Sequence, residues 1–187
     1  IKDKHPTSLT VVSNHKQKQF ISYCEADSKL TYNKKMDNYV HNSDIFIFNS
    51  VTLNRGSNRC LVKLINLAIK NNKIIIFDIN WRPLLWKNKE FAINQILKYI
   101  ELSSIIKLNL DELILITNNN NPKSILDYVT NCDQKIFLIT CGSKGTYYLT
   151  KNLFQFVDSF KINEIDDTGC GDSFLSAFIS KLYHYDL

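Results

Sequence analysis

Four strand-length runs frame this chain: Asp44-Ile-Phe-Ile-Phe-Asn49, Lys73-Ile-Ile-Ile-Phe-Asp78, Ser103-Ser-Ile-Ile-Lys-Leu-Asn109 and Lys135-Ile-Phe-Leu-Ile-Thr140. They are rich in isoleucine and phenylalanine, which fit a pleated surface. Their interiors are nearly continuous in apolar residues instead of alternating, the mark of strands buried on both faces in a parallel sheet. Helical spacing separates them. Leu61, Leu64, Ile65 and Ala68 share one helix face, and so do Phe91, Ile93, Ile96, Leu97 and Ile100. Strand alternating with helix predicts a doubly wound, mostly parallel α/β domain.

The flanks carry lighter signals. Residues 7–13 and 19–24 are β-rich, with the polar connection Asn14 to Lys18 between them. Two strands this exposed are marginal alone and need a larger sheet or a partner. Residues 33–42 predict a short helix, and Ile125 to Val129 another. Gly142-Ser-Lys-Gly145 predicts a turn between Lys135–Thr140 and the extended Thr146–Thr150. Phe154 to Val157 and Phe160 to Ile162 read as short extended pieces, and Asn118 to Asn121 as a loop. Phe174, Phe178 and Leu182, four apart, predict a last helix.

Bulk properties exclude several classes. The 187 residues suit one domain of ordinary size. No apolar run reaches about 18 residues, so no membrane span is expected. The start, Ile1-Lys-Asp-Lys-His-Pro6, has no apolar signal-peptide core and no initiator Met, so the chain is expected to be cut from something longer. The net charge of +5 comes from dispersed lysines, which does not make a nucleic-acid face. Cys24, Cys60, Cys132, Cys141 and Cys170 form no Cys-x-x-Cys pair. They point away from disulfides or zinc and toward a reducing, cytoplasmic compartment. His5, His15, His41 and His184 form no ligand pattern.

The chemistry concentrates in Asp166-Asp-Thr-Gly169-Cys170-Gly171-Asp172-Ser-Phe174. The glycines stand at the start of the last helix, where φ > 0 is tolerated and free amides converge with the helix dipole on an anion. A carboxylate beside a bound phosphate repels it, which makes sense if Asp172 takes a proton from an attacking hydroxyl. The alternative is a glycine turn with Asp172 as an early-turn charge favoured by the dipole. Asp78, Asn80 and Arg82 follow a strand's carboxyl end, where ligands of open α/β sheets bind. Their spacing in an extended segment points them to one side, with Pro83 keeping Arg82 extended. Arg82 suits bidentate binding of phosphate or carboxylate, or a pairing with Asp78. Asn109 and Glu112 read from spacing as a capping box, with a water-mediated Mg²⁺ site as the other reading.

These motifs resemble, in order, those of the ribokinase-like (PfkB) carbohydrate kinases. Asp166–Phe174 is similar to the family's Asp-Thr-Thr-Gly-Ala-Gly-Asp-Ser-Phe, with Asp167 for Thr and Cys170 for Ala. Asp78–Trp86 resembles the Asp-x-Asn-x-Arg-Pro-x-Leu-Trp of fructokinases and 2-keto-3-deoxygluconate kinases. The resemblance implies a three-layer α/β/α fold with a small β lid: residues 1–32 a partial lid, 33–187 the nucleotide-binding core, shortened at both ends relative to the family. It implies Asp172 as catalytic base and the amides of Gly169, Cys170 and Gly171 as the anion hole. It places Asn80 and Arg82 between nucleotide and sugar, and gives Asn109 and Glu112 the organisation of Mg²⁺ through water. Thr140, Gly142, Ser143, Lys144 and Gly145 would lie along ATP, and Tyr23 would touch the sugar, although Cys24 stands where relatives carry an arginine. The expected ligands are ATP, Mg²⁺ and a small-molecule sugar, fructose or a related ketose, with a homodimer through the lid. Neither nucleic acid nor membrane is an expected partner. The alternative is a catalytically impaired relative that binds nucleotide or serves structurally.

Overall fold

The computed structural model describes residues 4–13, 19–23, 26–53, 58–163 and 165–184. The connection Asn14 to Lys18 and Cys24 lie outside the described residues. β1 (Leu9–Ser13) and β2 (Gln19–Tyr23) pair antiparallel as a separate two-stranded ribbon. Successive residues of a strand point to opposite faces. Val11 and Val12 are 46% and 38% exposed, so β1 presents apolar groups on both faces.

The main sheet begins after the short helix α1 (Lys35–His41). Its strands are β3 (Ile45–Asn49), β4 (Ile74–Asp78), β5 (Ile105–Asn109), β6 (Ile136–Thr140), β7 (Gly145–Leu149) and β8 (Phe154–Asp158), adjacent in that order. The first four are parallel, and β7 and β8 return antiparallel. The connections are α2 (Ser50–Leu53) and α3 (Asn58–Lys70), then α4 (Lys89–Leu102), then α5 (Leu110–Thr117). Each crossover steps to the next strand in the same direction. Right-handed crossovers then put their helices on one face.

Alternation along the strands divides the core accordingly. Phe48, Ile75, Phe77, Ile106, Leu108, Phe137 and Ile139 pack with Ile65, Ile96, Ile100 and Leu113 of the crossover helices. Ile76, Ile105 and Leu138 face the other way, against α6 (Cys170–His184), which brings Phe174, Leu175, Phe178 and Leu182. The layers are thus the helices on the first face, the sheet and α6, the expected α/β/α arrangement. Lys135, 5% exposed, holds the end of α4: its ammonium donates to the carbonyls of Ile100, Glu101 and Ser103 at 2.8–3.0 Å. A cation there also complements the helix dipole.

Three local expectations differ from the structure. The segment expected as a short helix at 125–129 is a 3₁₀ stretch, Pro122–Tyr128, started by Pro122 and the Asn121 side chain. Residues 160–162 form no strand, and Phe160 and Ile162 are 90% and 78% exposed. The short α2 had no apolar spacing to announce it.

Candidate active site

Strand parity brings charge to one place. Ile74, Ile76 and Asp78 share a face of β4, and Ile105 and Lys107 share the same face of β5. Asp78 and Lys107 are direct partners in the ladder. The face that is apolar beneath the middle of α6 therefore ends in an ion pair at the strands' carboxyl ends. Lys107 Nζ donates to Asp78 Oδ1 at 3.1 Å and Oδ2 at 3.3 Å, with Lys107 8% and Asp78 5% exposed. Burial pushes the Asp78 carboxyl above its usual range, the Lys107 ammonium opposes that, and the charge of Asp172 adds to the push.

The start of α6 lies over this pair. Gly169 takes φ +82 with open space around it, a conformation that favours glycine. Asp166 accepts from the amide and hydroxyl of Thr168 at 2.9 and 2.7 Å, which shapes the turn before it. The Cys170 amide donates to the Asp167 carbonyl at 3.1 Å, and the first full helical bond runs from Ser173 to Gly169 at 2.9 Å. The amides of Gly171 and Asp172 have no partner among the described residues, as expected of the first turn of a helix. Of the three amides expected to form the anion hole, that of Cys170 is engaged in the turn, and those of Gly169 and Gly171 stand with that of Asp172 as donors without a hydrogen bond among the described residues. The Asp172 side chain is exposed, on the solvent side of that turn. A methyl group on Gly171 would lie 2.9 Å from Lys107 Nζ, so glycine lets the ammonium come up beneath the turn.

The Asp78-to-Arg82 segment differs from the extended trio expected of it. Asn80 sits at φ +43, which breaks the alternation, and Asp78 turns to Lys107 instead of Arg82. Arg82 itself is extended, at φ −130 and ψ 93 before Pro83, as expected, and its guanidinium reaches the Trp81 carbonyl at 3.2 Å. Trp81 stacks on the buried Trp86, centroids 5.9 Å apart, which anchors the loop.

Asn109 and Glu112 build the capping box that spacing favours. The Asn109 side chain accepts from the Glu112 amide at 2.8 Å, and Glu112 Oε2 accepts from the Asn109 amide at 2.8 Å. The other oxygen, Oε1, accepts from the Trp81 amide at 2.6 Å. Glu112 thereby joins the start of α5 to the loop after β4. Burial pushes its carboxyl above the usual range, and the two amides oppose this. A direct Mg²⁺ ligand does not fit a carboxylate 4% exposed with both oxygens on backbone amides. Among the described residues no cluster of His, Cys, Asp or Glu is built to hold a metal. Replacing Glu112 by Gln leaves one acceptor for two amides. The expected loss is about 1.5–3 kcal/mol, read as a lower urea midpoint with an unchanged slope.

The turn after β6 separates its residues by role. Thr140 is the ladder partner of Asn109 at the strands' carboxyl ends. Gly142, at φ +57, has nothing within 4 Å of a methyl group placed on it, and Ser143 and Lys144 are exposed. Gly145 is different: a methyl group there would meet the Val157 carbonyl oxygen at 2.1 Å, so its smallness serves the β7–β8 pairing. Tyr23, 59% exposed at the end of β2, has no hydrogen bond or ring contact with the site among the described residues.

The structure thus unites Asp172, Gly171, Asn109, Glu112 and the Asn80–Arg82 segment around the ends of β4 and β5. Lys107 belongs with them and was missed from sequence. Its signal was available: a lone lysine at the parity of Ile105 inside a buried run.

Comparison with known proteins gives the family and the fold. The probable fructokinase-4 of Arabidopsis thaliana is 30% identical over 146 residues, 76% of this chain and 44% of that protein. A sugar kinase of Pyrococcus horikoshii solved with ATP aligns over 97% of this chain and 59% of its own, at TM-score 0.78 and 25% identity. A Xylella fastidiosa fructokinase with bound ATP shares the fold, at TM-score 0.77 and 19% identity over 97% of this chain and 58% of that one. The chain spans about half the length of the curated relatives it matches, 44% of the Arabidopsis protein. The profile of the pfkB family carbohydrate kinases matches residues 1–186, with the Asp166–Phe174 turn and Asp172 inside it, and the chain belongs to that family.

Proposed function

We propose that this chain carries the phosphoryl-transfer centre of an ATP-dependent sugar kinase, with fructose or a related ketose as acceptor. One observation carries the reading: an exposed carboxylate, Asp172, shares the first turn of α6 with two unpartnered amides. Asp172 removes the proton of the sugar hydroxyl as its oxygen bonds to the γ-phosphorus of ATP. The bond to the β–γ bridging oxygen breaks, and ADP carries away the electron pair. The amides of Gly171 and Asp172 aim at the charge on the transferring group, where fixed donors count most. Gly142, Ser143 and Lys144, with Thr140, supply an open edge for the nucleotide. Arg82 neutralises phosphate charge, and Asn80 borders the sugar with it. Asn109, the exposed polar group at that corner, would hold Mg²⁺ through water with the buried Glu112 behind it, and the ion would supply positive charge against the nucleotide's phosphates.

The Arg82-Pro-Leu-Leu-Trp86 loop and the fructokinase names of the relatives support a ketose. The exposed Leu9, Val11 and Val12 of β1 support a homodimer, with Tyr23 at the sugar only in that assembled state. The free thiols of Cys60, Cys132, Cys141 and Cys170 support a reducing, cytoplasmic setting. Among the described residues no helix is long and apolar enough to cross a membrane.

A coupled ADP-release assay on the full gene product, over a small sugar panel with Mg-ATP, tests the reading. Fructose is expected to give the largest release, and no stimulation by any sugar would overturn it. The second reading, a nucleotide-binding partner without turnover, gains from the capping box, since Asn109 and Glu112 have a structural reason to be there. Calorimetric binding of Mg-ATP without sugar-dependent release would select it.

A further inference from the structure

We propose that Lys107 is a positioning residue for phosphoryl transfer: its ammonium, seated on Asp78, forms a cationic floor under the Gly171–Asp172 amides. The inference rests on the kinase reading above. Lys107 is buried and fixed, since Asp78 takes two of its three donor directions at 3.1 and 3.3 Å. It lies beside the Cα of Gly171, close enough that an added methyl would collide with it at 2.9 Å. Asp172 is near enough for its charge to act on Asp78. Two carboxylates therefore flank the place where a phosphate charge would arrive, and Lys107 is the cation between them among the described residues.

A helix N-terminus alone supplies about half a positive charge. A full charge held close to the same turn by a buried, paired side chain acts without reorganising as the reaction proceeds. Lysine is a compact point charge and fits under a glycine turn where a planar guanidinium would need more room. The competing role is purely structural, with Lys107 serving only to neutralise a buried Asp78. Removing one partner of such a pair strands the other, whereas removing both is often tolerated.

That asymmetry gives the test. Lys107→Met/Asp78→Asn is compared with Asp78→Asn in the full gene product, so the two proteins differ only in the ammonium. The double variant is expected to melt close to wild type. Its kcat is expected about 100- to 1,000-fold below that of Asp78→Asn, on the scale of losing an anion-hole donor, with the sugar KM within about threefold. The second readout is binding of ADP with aluminium fluoride, a mimic of the transferring group, against ADP alone. The gain in affinity is expected to shrink by a similar factor in the double variant. Equal kcat and equal gain in the two proteins would overturn the proposal. Absence of sugar-dependent turnover in wild type would sink the kinase reading, and the aluminium fluoride comparison would then decide Lys107 alone. No gain in wild type, or the same gain in both variants, counts against it. If the double variant does not fold, Lys107→Gln/Asp78→Asn carries the same comparison with an amide hydrogen bond in place of the ion pair.

Discussion

Asparagine at position 172 lowers kcat about 10²- to 10⁴-fold in the full gene product, the range of a positioned general base, and barely changes its melting temperature. The two halves of that result come from different features. The Asp172 side chain is exposed and makes no hydrogen bond among the described residues, so removing its charge breaks no contact. The dipole of α6 supports its charge by about 0.3–1 kcal/mol at an exposed helix start. Asparagine keeps the size and the amide N–H of residue 172, and so keeps the remaining donors of the turn. What it lacks is the ability to accept a proton. If Asp172 were only a dipole-favoured surface charge, the variant would lose up to that small stability and keep its turnover. Sugar-dependent ADP release at saturating substrate, beside a thermal melt, separates the two. Wild-type kcat in the asparagine variant removes Asp172 from the chemistry.

The framework was legible because the four parallel strands announce themselves by burial on both faces. The runs at 44–49, 73–78, 103–109 and 135–140 became β3 to β6 within a residue or two at their ends. The last helix was legible from Phe174, Phe178 and Leu182, which do pack together on the sheet. The site was harder, because it depends on which face of a strand a polar residue takes and on what opposes it. A pairing of Asp78 with Arg82, a sequence neighbour, was one of two readings of that segment. The structure pairs Asp78 with Lys107, which lies 29 positions away but adjacent in the ladder. Parallel register supplies that contact, and one sequence does not state its register. Asn80 at φ +43 was invisible for a related reason, since asparagine adopts extended and left-handed backbone alike. The capping box was fully local and spacing found it, whereas a carboxylate that also reaches the Trp81 amide is a tertiary fact. The motif gives the order of the amides at the start of the last helix without the turn that engages one of them, that of Cys170.

The two glycines of the β6–β7 turn resemble each other in sequence and should part sharply under mutation. Gly145→Ala is expected to lower stability by about 3–6 kcal/mol, the sum of backbone strain and of overpacking against an atom that cannot move aside. Gly145 sits at φ +136, and its new methyl would stand 2.1 Å from the Val157 carbonyl oxygen and 3.0 Å from Asp158 Cα. Those are backbone atoms of β8, opposite Gly145 in the antiparallel ladder, so relief requires the edge strand to move. β8 has only β7 beside it, and Tyr147 stacks on Phe154 at 5.3 Å and meets Phe156 at 4.6 Å across that pair. Displacing β8 therefore loses ring contacts together with ladder bonds. Gly142→Ala, at φ +57 in open space, meets no atom and costs only the left-handed backbone, about 1–2 kcal/mol. Its expected effect on function is a raised KM for ATP, because it borders the open edge assigned to the nucleotide. Urea denaturation with amide hydrogen exchange over 154–158 distinguishes the outcomes. A Gly145→Ala protein as stable as wild type, with β8 still protected, would show that strand's approach to be slack and return Gly145 to the nucleotide loop.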